Sequence, residues 1–291
     1  MKLSIITINY NNAEGLRKTL ASVAVQTYRD IEHIMIDGGS TDKSVDVICE
    51  YESANRSSVN PLTVIWSSKK DKGIYNGMNV GIQRATGDYI QILNSGDVLA
   101  APDVTERMVV FLNSLNINSL SITENVPILY GNMLKDYGNG KLVRDNCGGA
   151  NSTESFMYFY KGTLNHDCAY IRRDLFVEYG LYNEQMKICS DWEWYVRAIV
   201  LGGEKAVYTN IDVTIFDMNG VSESHGKNAE LIKKERREYL EKILPPTVLH
   251  DYDAFAFPVL QYQRLKKHHV WPLVHFFERV LFKLEKWKLL K

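Results

Sequence analysis

Residues 2–12 read Lys-Leu-Ser-Ile-Ile-Thr-Ile-Asn-Tyr-Asn-Asn, an apolar and β-branched run that stops at a polar turn sequence. Such a run is typical of a β-strand that ends in a turn. Leu16, Leu20 and Val23 follow at helical spacing, and Asn11 or Asn12 is a suitable N-cap for that helix. The stretch therefore predicts a strand, a polar turn and a helix, which is the first unit of an α/β fold.

The same unit recurs through the first hundred residues. We predict further strands at 31–36, 62–66 and 89–93, a helix that begins after 40–42, and a helix over 75–85. Regular alternation of strands and helices predicts a parallel sheet with helices on both faces. The fold class predicted from the sequence is therefore α/β, with a mainly parallel central sheet.

Polar side chains follow each predicted strand. Asn9, Asp37, Asp71 and Asp97 all lie at or just after a strand end. In open parallel sheets, ligands bind outside the carboxyl ends of the strands. The pattern therefore predicts a ligand site at this edge, and it disfavours a purely structural protein.

Residues 37–42 read Asp-Gly-Gly-Ser-Thr-Asp directly after a buried strand. A carboxylate at Asp37 can accept hydrogen bonds from a nucleotide base or ribose, and the glycines let a ligand approach the backbone. A tight turn with a helix cap explains the same residue types. Taken alone, the segment favours the turn.

Residues 94–97 read Asn-Ser-Gly-Asp after the fourth predicted strand. Hard divalent cations take oxygen ligands and combine one or two carboxylates with the phosphates of a substrate. Asp97 could hold such a cation against a diphosphate, whose developing negative charge the cation would neutralise. A turn rich in Asn and Asp is the alternative, because one carboxylate alone is a weak metal site.

Asp191 opens a predicted helix over 191–200 and lies beside Trp192 and Trp194. An acidic residue in a first helical turn is stabilised by the helix dipole, which is the structural explanation. The functional interpretation is a general base that faces a sugar, with the indole rings stacked on the pyranose. For that role we expect partial burial to raise the pKa of Asp191.

His166 follows a short loop and precedes a predicted strand. It could contact a phosphate or orient an acceptor, and a satisfied structural histidine is an equally good explanation. His225, in a Gly-punctuated polar stretch, is interpreted as a loop residue rather than a metal ligand.

The remainder of the chain is less regular. We predict strands at 128–130 and 205–216, helices at 175–179 and 229–243, and a mobile loop over 136–153.

Residues 261–291 carry eight basic and two acidic residues, although the formal charge of the whole chain is only -1. Within this tail, apolar residues recur near helical spacing, as in an amphipathic helix that lies on an anionic membrane. Packing on the catalytic domain or on a partner subunit, as in a homodimer, explains the stripe equally well.

Bulk composition sets limits on the function. The chain has 291 residues, 45% hydrophobic and 24% charged, and its net charge gives no argument for binding nucleic acid. Its four cysteines are scattered without metal-ligand spacing, as in proteins of reducing compartments. No run of about 18 apolar residues and no signal-peptide core occurs. We therefore expect a cytoplasmic protein, with the tail able to contact the inner face of the membrane.

In order along the chain, these segments resemble the family 2 glycosyltransferases with the GT-A fold. The matching stretches are 4–11, 22–28, 32–42, 71–79, 87–89 and the segment that ends at Asp97. The resemblance returns at 166–173 and at 191–197. The 71–79 and 94–97 segments in particular resemble those of transferases that build bacterial surface polysaccharides. It implies a catalytic domain over 1–218, with a donor half at 1–100 and an acceptor half at 101–218, followed by a C-terminal loop and helical extension over 219–291.

The resemblance also implies roles for individual residues. It implies an Mg²⁺ or Mn²⁺ ion, a UDP-, GDP- or dTDP-sugar as donor, and a glycan or lipid-linked acceptor. Transfer of a monosaccharide would occur in one step with inversion at the anomeric carbon. The implied residues are Thr7, Asn9 and Asp37 at the nucleoside, Asp71 and Asn79 in the donor pocket, Asp97 on the metal, and Asp191 as base. Asn94 and Ser95, in the turn that ends at Asp97, and His166 are further candidate donor-binding residues.

Two departures from the family pattern bear on the donor. The family often has paired acids after the second strand, where this chain has Asp37-Gly38, and its metal motif usually carries more acids than Asp97 alone. A processive synthase is disfavoured, because a Gln-x-x-Arg-Trp motif and membrane spans are absent from the sequence. A nucleotidyltransferase would favour a Gly-rich phosphate loop after the first strand, and an NAD-dependent oxidoreductase a Gly-x-Gly-x-x-Gly turn. The turn here reads Asn-Tyr-Asn-Asn at 9–12, which disfavours both classes. A non-catalytic nucleotide-sugar-binding protein stays open as an alternative.

Overall fold

The first strand, β1 (Leu3–Asn9), is buried at every residue because it pairs with a parallel strand on each side. The computed structural model describes residues 1–118, 126–138, 140–147, 149, 152–218, 228–268 and 270–286. Within these residues nine strands form one sheet, in the order β3-β2-β1-β4-β8-β6-β9-β5, and β7 pairs with β6. The other strands are β2 (Ile31–Asp37), β3 (Thr63–Ser68), β4 (Tyr89–Ile92), β5 (Val98–Leu99), β6 (Ile128–Asp136), β7 (Leu142–Asp145), β8 (Ala169–Arg172) and β9 (Ala206–Asp217).

Ten α-helices accompany the sheet in the described part of the chain. They are α1 (Ala13–Ala24), α2 (Ser44–Arg56), α3 (Ile74–Arg84), α4 (Val104–Asn118), α5 (Phe156–Lys161), α6 (Leu175–Glu178), α7 (Ser190–Tyr195), α8 (Ala229–Ile243), α9 (Pro246–Lys267) and α10 (Trp271–Lys286). The Asn12 side chain caps α1 by accepting from the Gly15 amide. A π-helical stretch, Val196–Leu201, directly continues α7.

The strand register brings distant residues to one edge. Asn9 lies opposite Asp37, so β1 and β2 end at the same level. Ile6 lies opposite Ile92, and the Leu93 and Ser95 amides donate to the carbonyls of Ile6 and Ile8, so the residues that follow β4 run beside the end of β1. Strand β8 runs antiparallel to β4, and its residue Ile171 lies opposite Ile90. Because of this reversed direction, the residues that precede β8 lie at the same edge as the residues that follow β4.

The predicted strands and helices of the first hundred residues are confirmed, as is the mixed, mainly parallel sheet. The loop predicted over 136–153 is wrong in part, because β7 folds back on β6 with Met133 opposite Asp145. Helix α9 was not predicted, since Pro258 lies inside it. The predicted polar stretch that contains His225 lies almost entirely outside the described residues, as does His225 itself.

The chain forms two compact units, Met1–Arg236 and Arg237–Lys291. The first contains the whole sheet and the candidate site. The second contains the end of α8, α9 and α10. The domain boundary predicted between 218 and 219 falls at the start of a segment outside the described residues and stays a prediction.

The buried carboxylate of Glu32 links several elements at the opposite edge of the sheet, where β1 and β2 begin. Glu32 accepts hydrogen bonds from Ser4 Oγ at 2.5 Å and Thr86 Oγ1 at 2.7 Å, and its Oε2 lies 2.6 Å from Lys2 Nζ. Burial alone would raise the pKa of Glu32, but the Lys2 ammonium and the hydroxyl and amide donors outweigh it and lower that pKa to about 2. The network ties the start of β1 to β2 and to the turn before β4.

We predict that Glu32→Gln lowers the free energy of unfolding by roughly 1–3 kcal/mol, because a buried donor set loses its charged acceptor. The stabilisation is present above the ordinary pKa of 4.5 and is lost as the pH falls toward 2. Urea unfolding between pH 3 and 7 measures both effects. Glu50→Gln is the control, because Glu50 pairs with Arg17 on the exposed surface. Equal effects of the two substitutions would contradict the assignment.

Candidate active site

A chain of side-chain contacts joins the end of β4 to the start of α7. Asn94 Nδ2 lies 3.0 Å from His166 Nε2, and His166 Nδ1 lies 3.2 Å from Asp191 Oδ2. The Tyr75 hydroxyl, on α3, lies 3.2 Å from the other Asp191 oxygen. The structure therefore brings three of the predicted site residues, Asn94, His166 and Asp191, into direct contact.

The charges of His166 and Asp191 stabilise each other. Burial alone would lower the pKa of His166, but the hydrogen bond and the charge of Asp191 raise it to about 9, and the charges of Asp167 and Asp97 add to the effect. Burial alone would raise the pKa of Asp191, but the hydrogen bond and charge of His166 hold it below its ordinary value. The expectation of a raised Asp191 pKa is therefore wrong, because a cationic partner outweighs desolvation.

The orientation of the Asn94 amide is linked to the protonation of His166. With Asn94 Nδ2 facing it, His166 Nε2 must accept, which fits a neutral ring whose Nδ1–H donates to Asp191. The imidazolium favoured by the raised pKa requires the amide to turn and present its oxygen. In both arrangements the Nδ1 proton points to Asp191.

The indole rings beside Asp191 do not form a sugar platform. Trp192 and Trp194 are both buried, and their Nε1 atoms donate to the carbonyls of Phe159 and Gly180. The Trp194 ring stacks on Phe176 with centroids 4.6 Å apart. The interpretation of these rings as pyranose-stacking groups is wrong, because they belong to the core that anchors α7.

At the other end of this edge, Asp37 is surrounded by donors. Its carboxylate accepts from Asn9 Nδ2 at 2.7 Å, Ser68 Oγ at 2.6 Å and the Ser40 amide at 2.9 Å. Burial would raise the pKa of Asp37, but the hydrogen bonds from Ser40, Ser68 and Asn9 lower it. Asn9 Oδ1 is buried without a hydrogen-bond partner. Because Asp37 is fully buried among these donors, the contact of Asn9 and Asp37 with a nucleoside stays a prediction.

The missing second acid after β2 has a steric and electrostatic reason. A Cβ atom on Gly38 would lie only 2.8 Å from Asp71 Oδ2. Asp71 therefore already places a carboxylate over this turn, and an acid at position 38 would displace that side chain and repel its charge. The role of Asp71 in a donor pocket stays a prediction.

Three other predicted residues make mainly internal contacts. Thr7 is fully buried, with Oγ1 3.0 Å from His33 Nε2. Asn79 exchanges hydrogen bonds with the backbone of Tyr182, which joins α3 to the segment before α7. Ser95 accepts from Asn12 Nδ2 through its carbonyl at 3.0 Å. Their contact with a donor stays a prediction.

Asp97 has the character of a cation ligand. Its side chain is only 6% exposed, and burial, with the negative charge of Asp167, raises its pKa well above the ordinary value. Asn94 Oδ1 is buried without a partner only while the amide nitrogen faces His166, and the turned amide gives this oxygen to the imidazolium. A buried carboxylate such as Asp97 fits a hard cation, which takes oxygen ligands. Among the described residues no group of three or more His, Cys, Asp or Glu side chains can hold a metal, so the phosphates of a donor would have to complete the shell.

Sequence reasoning missed Tyr75 and Glu235. Tyr75 contacts Asp191 directly. Its place within the 71–79 segment, which matches the family, is the sequence signal that could have identified it. Glu235 lies on α8 and accepts from the Cys189 amide at the start of α7. Nothing in its charged helical surroundings distinguishes Glu235 from neighbouring acids in the sequence.

Comparison with known proteins identifies the family of this chain. The family described as Glycosyl transferase family 2 matches residues 4–179. The chain belongs to this family. Family 2 relatives include an uncharacterised glycosyltransferase of Mycobacterium tuberculosis, 32% identical over 81% of this chain and 82% of its own. A PGL/p-HBAD biosynthesis glycosyltransferase of Mycobacterium bovis is 30% identical over 67% of this chain and 68% of its own.

Solved structures confirm the GT-A fold. Residues 1–349 of Staphylococcus aureus TarS, in complex with UDP-GlcNAc, match with a TM-score of 0.63 and 18% identity over 84% of this chain and 67% of that one. Another TarS chain is matched over 37% of its length. The mannosyltransferase PcManGT of Pyrobaculum calidifontis, with GDP-Man and Mn²⁺, gives a TM-score of 0.58 and 15% identity over 88% of this chain and 69% of that one. The family 2 chain has, among its described helices, none with the length and apolarity to span a bilayer.

We predict that the stability of this family 2 protein falls as the pH rises from 6.5 to 9, because the stabilisation from a raised histidine pKa is complete below pH 6.5 and lost through about pH 9. The loss should be on the order of 3 kcal/mol. Chemical denaturation across this range, with a chelator present, measures it.

His166→Gln should remove most of this pH dependence and destabilise the protein at neutral pH, because Asp191 loses its cationic partner. The matched control is His250→Gln, since His250 is exposed on α9. A wild-type pH dependence in His166→Gln would contradict the assigned pair.

Proposed function

We propose that this protein is an inverting, non-processive glycosyltransferase that moves a hexosyl or N-acetylhexosaminyl group from a nucleotide-diphosphate sugar to an acceptor hydroxyl. Its product would belong to a bacterial cell-surface polysaccharide or related glycoconjugate. The single observation that carries the proposal is the set of polar groups along one sheet edge, from Asp37 to Asp191. Family membership supports the chemistry, and the relative named for PGL/p-HBAD biosynthesis supports the product class.

The donor would lie along the ends of β1, β2 and β4. The nucleoside would lie over the hydrogen-bonded pair Asn9 and Asp37, with the Asp71 carboxylate close to the turn that follows. Asp97 would hold the divalent cation together with the phosphates of the donor. When bound, that cation neutralises charge on the leaving diphosphate. The fold neighbours solved with UDP-GlcNAc and with GDP-Man and Mn²⁺ support a donor and cation of this class.

Asp191 would act as the base. In the transfer step the acceptor oxygen bonds to the anomeric carbon, the bond from that carbon to the phosphate oxygen breaks, and the hydroxyl proton passes to Asp191. The lowered pKa keeps Asp191 ionised at neutral pH. It also makes Asp191 a weak base, which fits late proton transfer, because the attacking oxygen becomes strongly acidic as its new bond forms.

Substitution of Asp191 tests the base role. We predict that Asp191→Asn lowers kcat by about 10²–10⁴-fold, the usual contribution of a general base. Donor affinity should change little, since the residue lies at the acceptor end. The measurement is nucleotide release with saturating donor and acceptor, and the control is Asp46→Asn on α2. Unchanged turnover in Asp191→Asn would remove the residue from this role.

Isothermal titration with UDP, GDP and dTDP, with and without Mn²⁺, tests donor binding. We predict that one nucleotide binds at least about tenfold more tightly with Mn²⁺, and that Asp97→Asn abolishes this gain. Binding without any turnover would favour a non-catalytic nucleotide-sugar-binding protein. Release of diphosphate from a nucleoside triphosphate with a sugar phosphate would instead reveal a nucleotidyltransferase.

The acceptor is proposed to be lipid-linked, with α10 on the inner face of the cytoplasmic membrane. Phe276 and Phe277 are 62% and 61% exposed, and Leu273, Val280 and Leu281 extend the same exposed stripe. Arg279 and Lys283 flank that stripe on the helix surface. An apolar face with basic neighbours is the pattern of a helix that lies in an anionic interface.

We predict that the full chain co-sediments with phosphatidylglycerol vesicles at least about tenfold better than with phosphatidylcholine vesicles, and that the double substitution of Phe276 and Phe277 by Ser abolishes binding. High salt should weaken it. Val59→Ser, at a fully exposed site before β3, is the control. A dimer by light scattering that the same double substitution dissociates would assign the face to a second copy of the chain instead.

A further inference from the structure

Helix α8 places a buried carboxylate against the turn that precedes α7. Glu235 is 8% exposed. Its two oxygens accept three consecutive backbone amides, from Lys187 at 2.7 Å, Ile188 at 3.1 Å and Cys189 at 3.0 Å. Successive backbone N–H groups that converge in this way form an anion-binding nest. Here a side chain of the same unit occupies the nest.

The anchored turn leads directly to the reactive end of the site. Cys189 is the N-cap of α7, and Asp191 follows two residues later. The carbonyl of Ile188, whose amide Glu235 binds, accepts from the Tyr75 hydroxyl, and this hydroxyl also reaches Asp191. The position of Asp191 relative to Tyr75 therefore depends on the turn that Glu235 holds.

A second contact from α8 supports the same alignment. The guanidinium of Arg236 lies over the Trp192 ring, 5.0 Å from its centroid. Glu235 and Arg236 thus bind the residues on both sides of Asp191. Substitution of Glu235 by Gln would replace one acceptor oxygen by an NH₂ group that faces backbone donors, so the nest would lose part of its partner.

We propose that Glu235 is a positioning residue that sets the geometry of Asp191 through the 187–189 turn. The proposal rests on the proposed function, because it explains how Asp191, the base in that reaction, is oriented. Glu235 does not itself touch the reacting atoms. Small displacements of a catalytic group cost large factors in rate, so the effect should appear in kcat rather than in the KM for the donor.

The test is a double-mutant cycle with Glu235→Gln and Asp191→Asn in the full chain. Glu235→Gln alone should lower kcat about 10- to 100-fold and leave the KM for the donor within about twofold. In the Asp191→Asn background it should change kcat by less than about twofold, because its effect passes through Asp191. Glu230→Gln, an exposed acid at the start of α8, is the control.

Hydrogen exchange of the 187–189 amides provides a readout independent of activity. These amides should exchange at least about tenfold faster in Glu235→Gln and at the wild-type rate in Glu230→Gln. Should Glu235→Gln fail to fold, Glu235→Asp, which keeps the charge with a shorter reach, should show the same pattern with smaller changes.

Two results would overturn the proposal. One is unchanged hydrogen exchange of the 187–189 amides in folded Glu235→Gln. The other is an equal loss of kcat from Glu235→Gln in the wild type and in the Asp191→Asn background. Failure of the proposed function gives a different pattern. If the proposed function is wrong, the wild type transfers no sugar or Asp191→Asn is fully active. Either result removes the catalytic role of Glu235, but hydrogen exchange still shows whether Glu235 holds the 187–189 turn.

Discussion

The contact between His166 and Asp191 is the interaction on which the site depends. Both side chains are mostly buried, with 22% and 15% of their surface exposed, and an ionised group in such surroundings is costly without a partner. Paired, they hold the start of α7 at the sheet edge, and Asn94 extends the pairing to the end of β4. This is possible because β8 runs antiparallel to β4 and delivers His166 to the edge where the parallel strands end.

The pairing also sets the character of Asp191. A carboxylate buried alone would have a raised pKa and would be partly protonated near neutral pH. Beside His166 it stays ionised, with lower basicity and a fixed orientation. The buried tryptophans and the α8 carboxylate add to this fixation from the other sides of α7. In the proposed base role, the pairing therefore favours a fixed and ionised Asp191 over a strongly basic one.

The first hundred residues were predictable because local patterns determine them. Strand ends in a parallel sheet meet at one edge, so Asn9, Asp37 and the 94–97 segment could be placed together from the sequence. The partners of His166 could not, because they come from residues 72 positions before and 25 after it. The same limit hid Glu235 and made the rings of Trp192 and Trp194 look like ligand groups, since burial on a short helix depends on tertiary packing.

We infer that one site extends from the Asp37 end of the sheet edge, past Asp97, to Asp191. A crystal structure with a nucleoside diphosphate and Mn²⁺, with the metal located by its anomalous scattering, would test this inference. We expect a manganese peak within coordination distance of an Asp97 oxygen, the nucleoside against Asn9 and Asp37, and His166 still paired with Asp191. A metal peak remote from Asp97, with the nucleotide bound away from these residues, would show that they do not form one site.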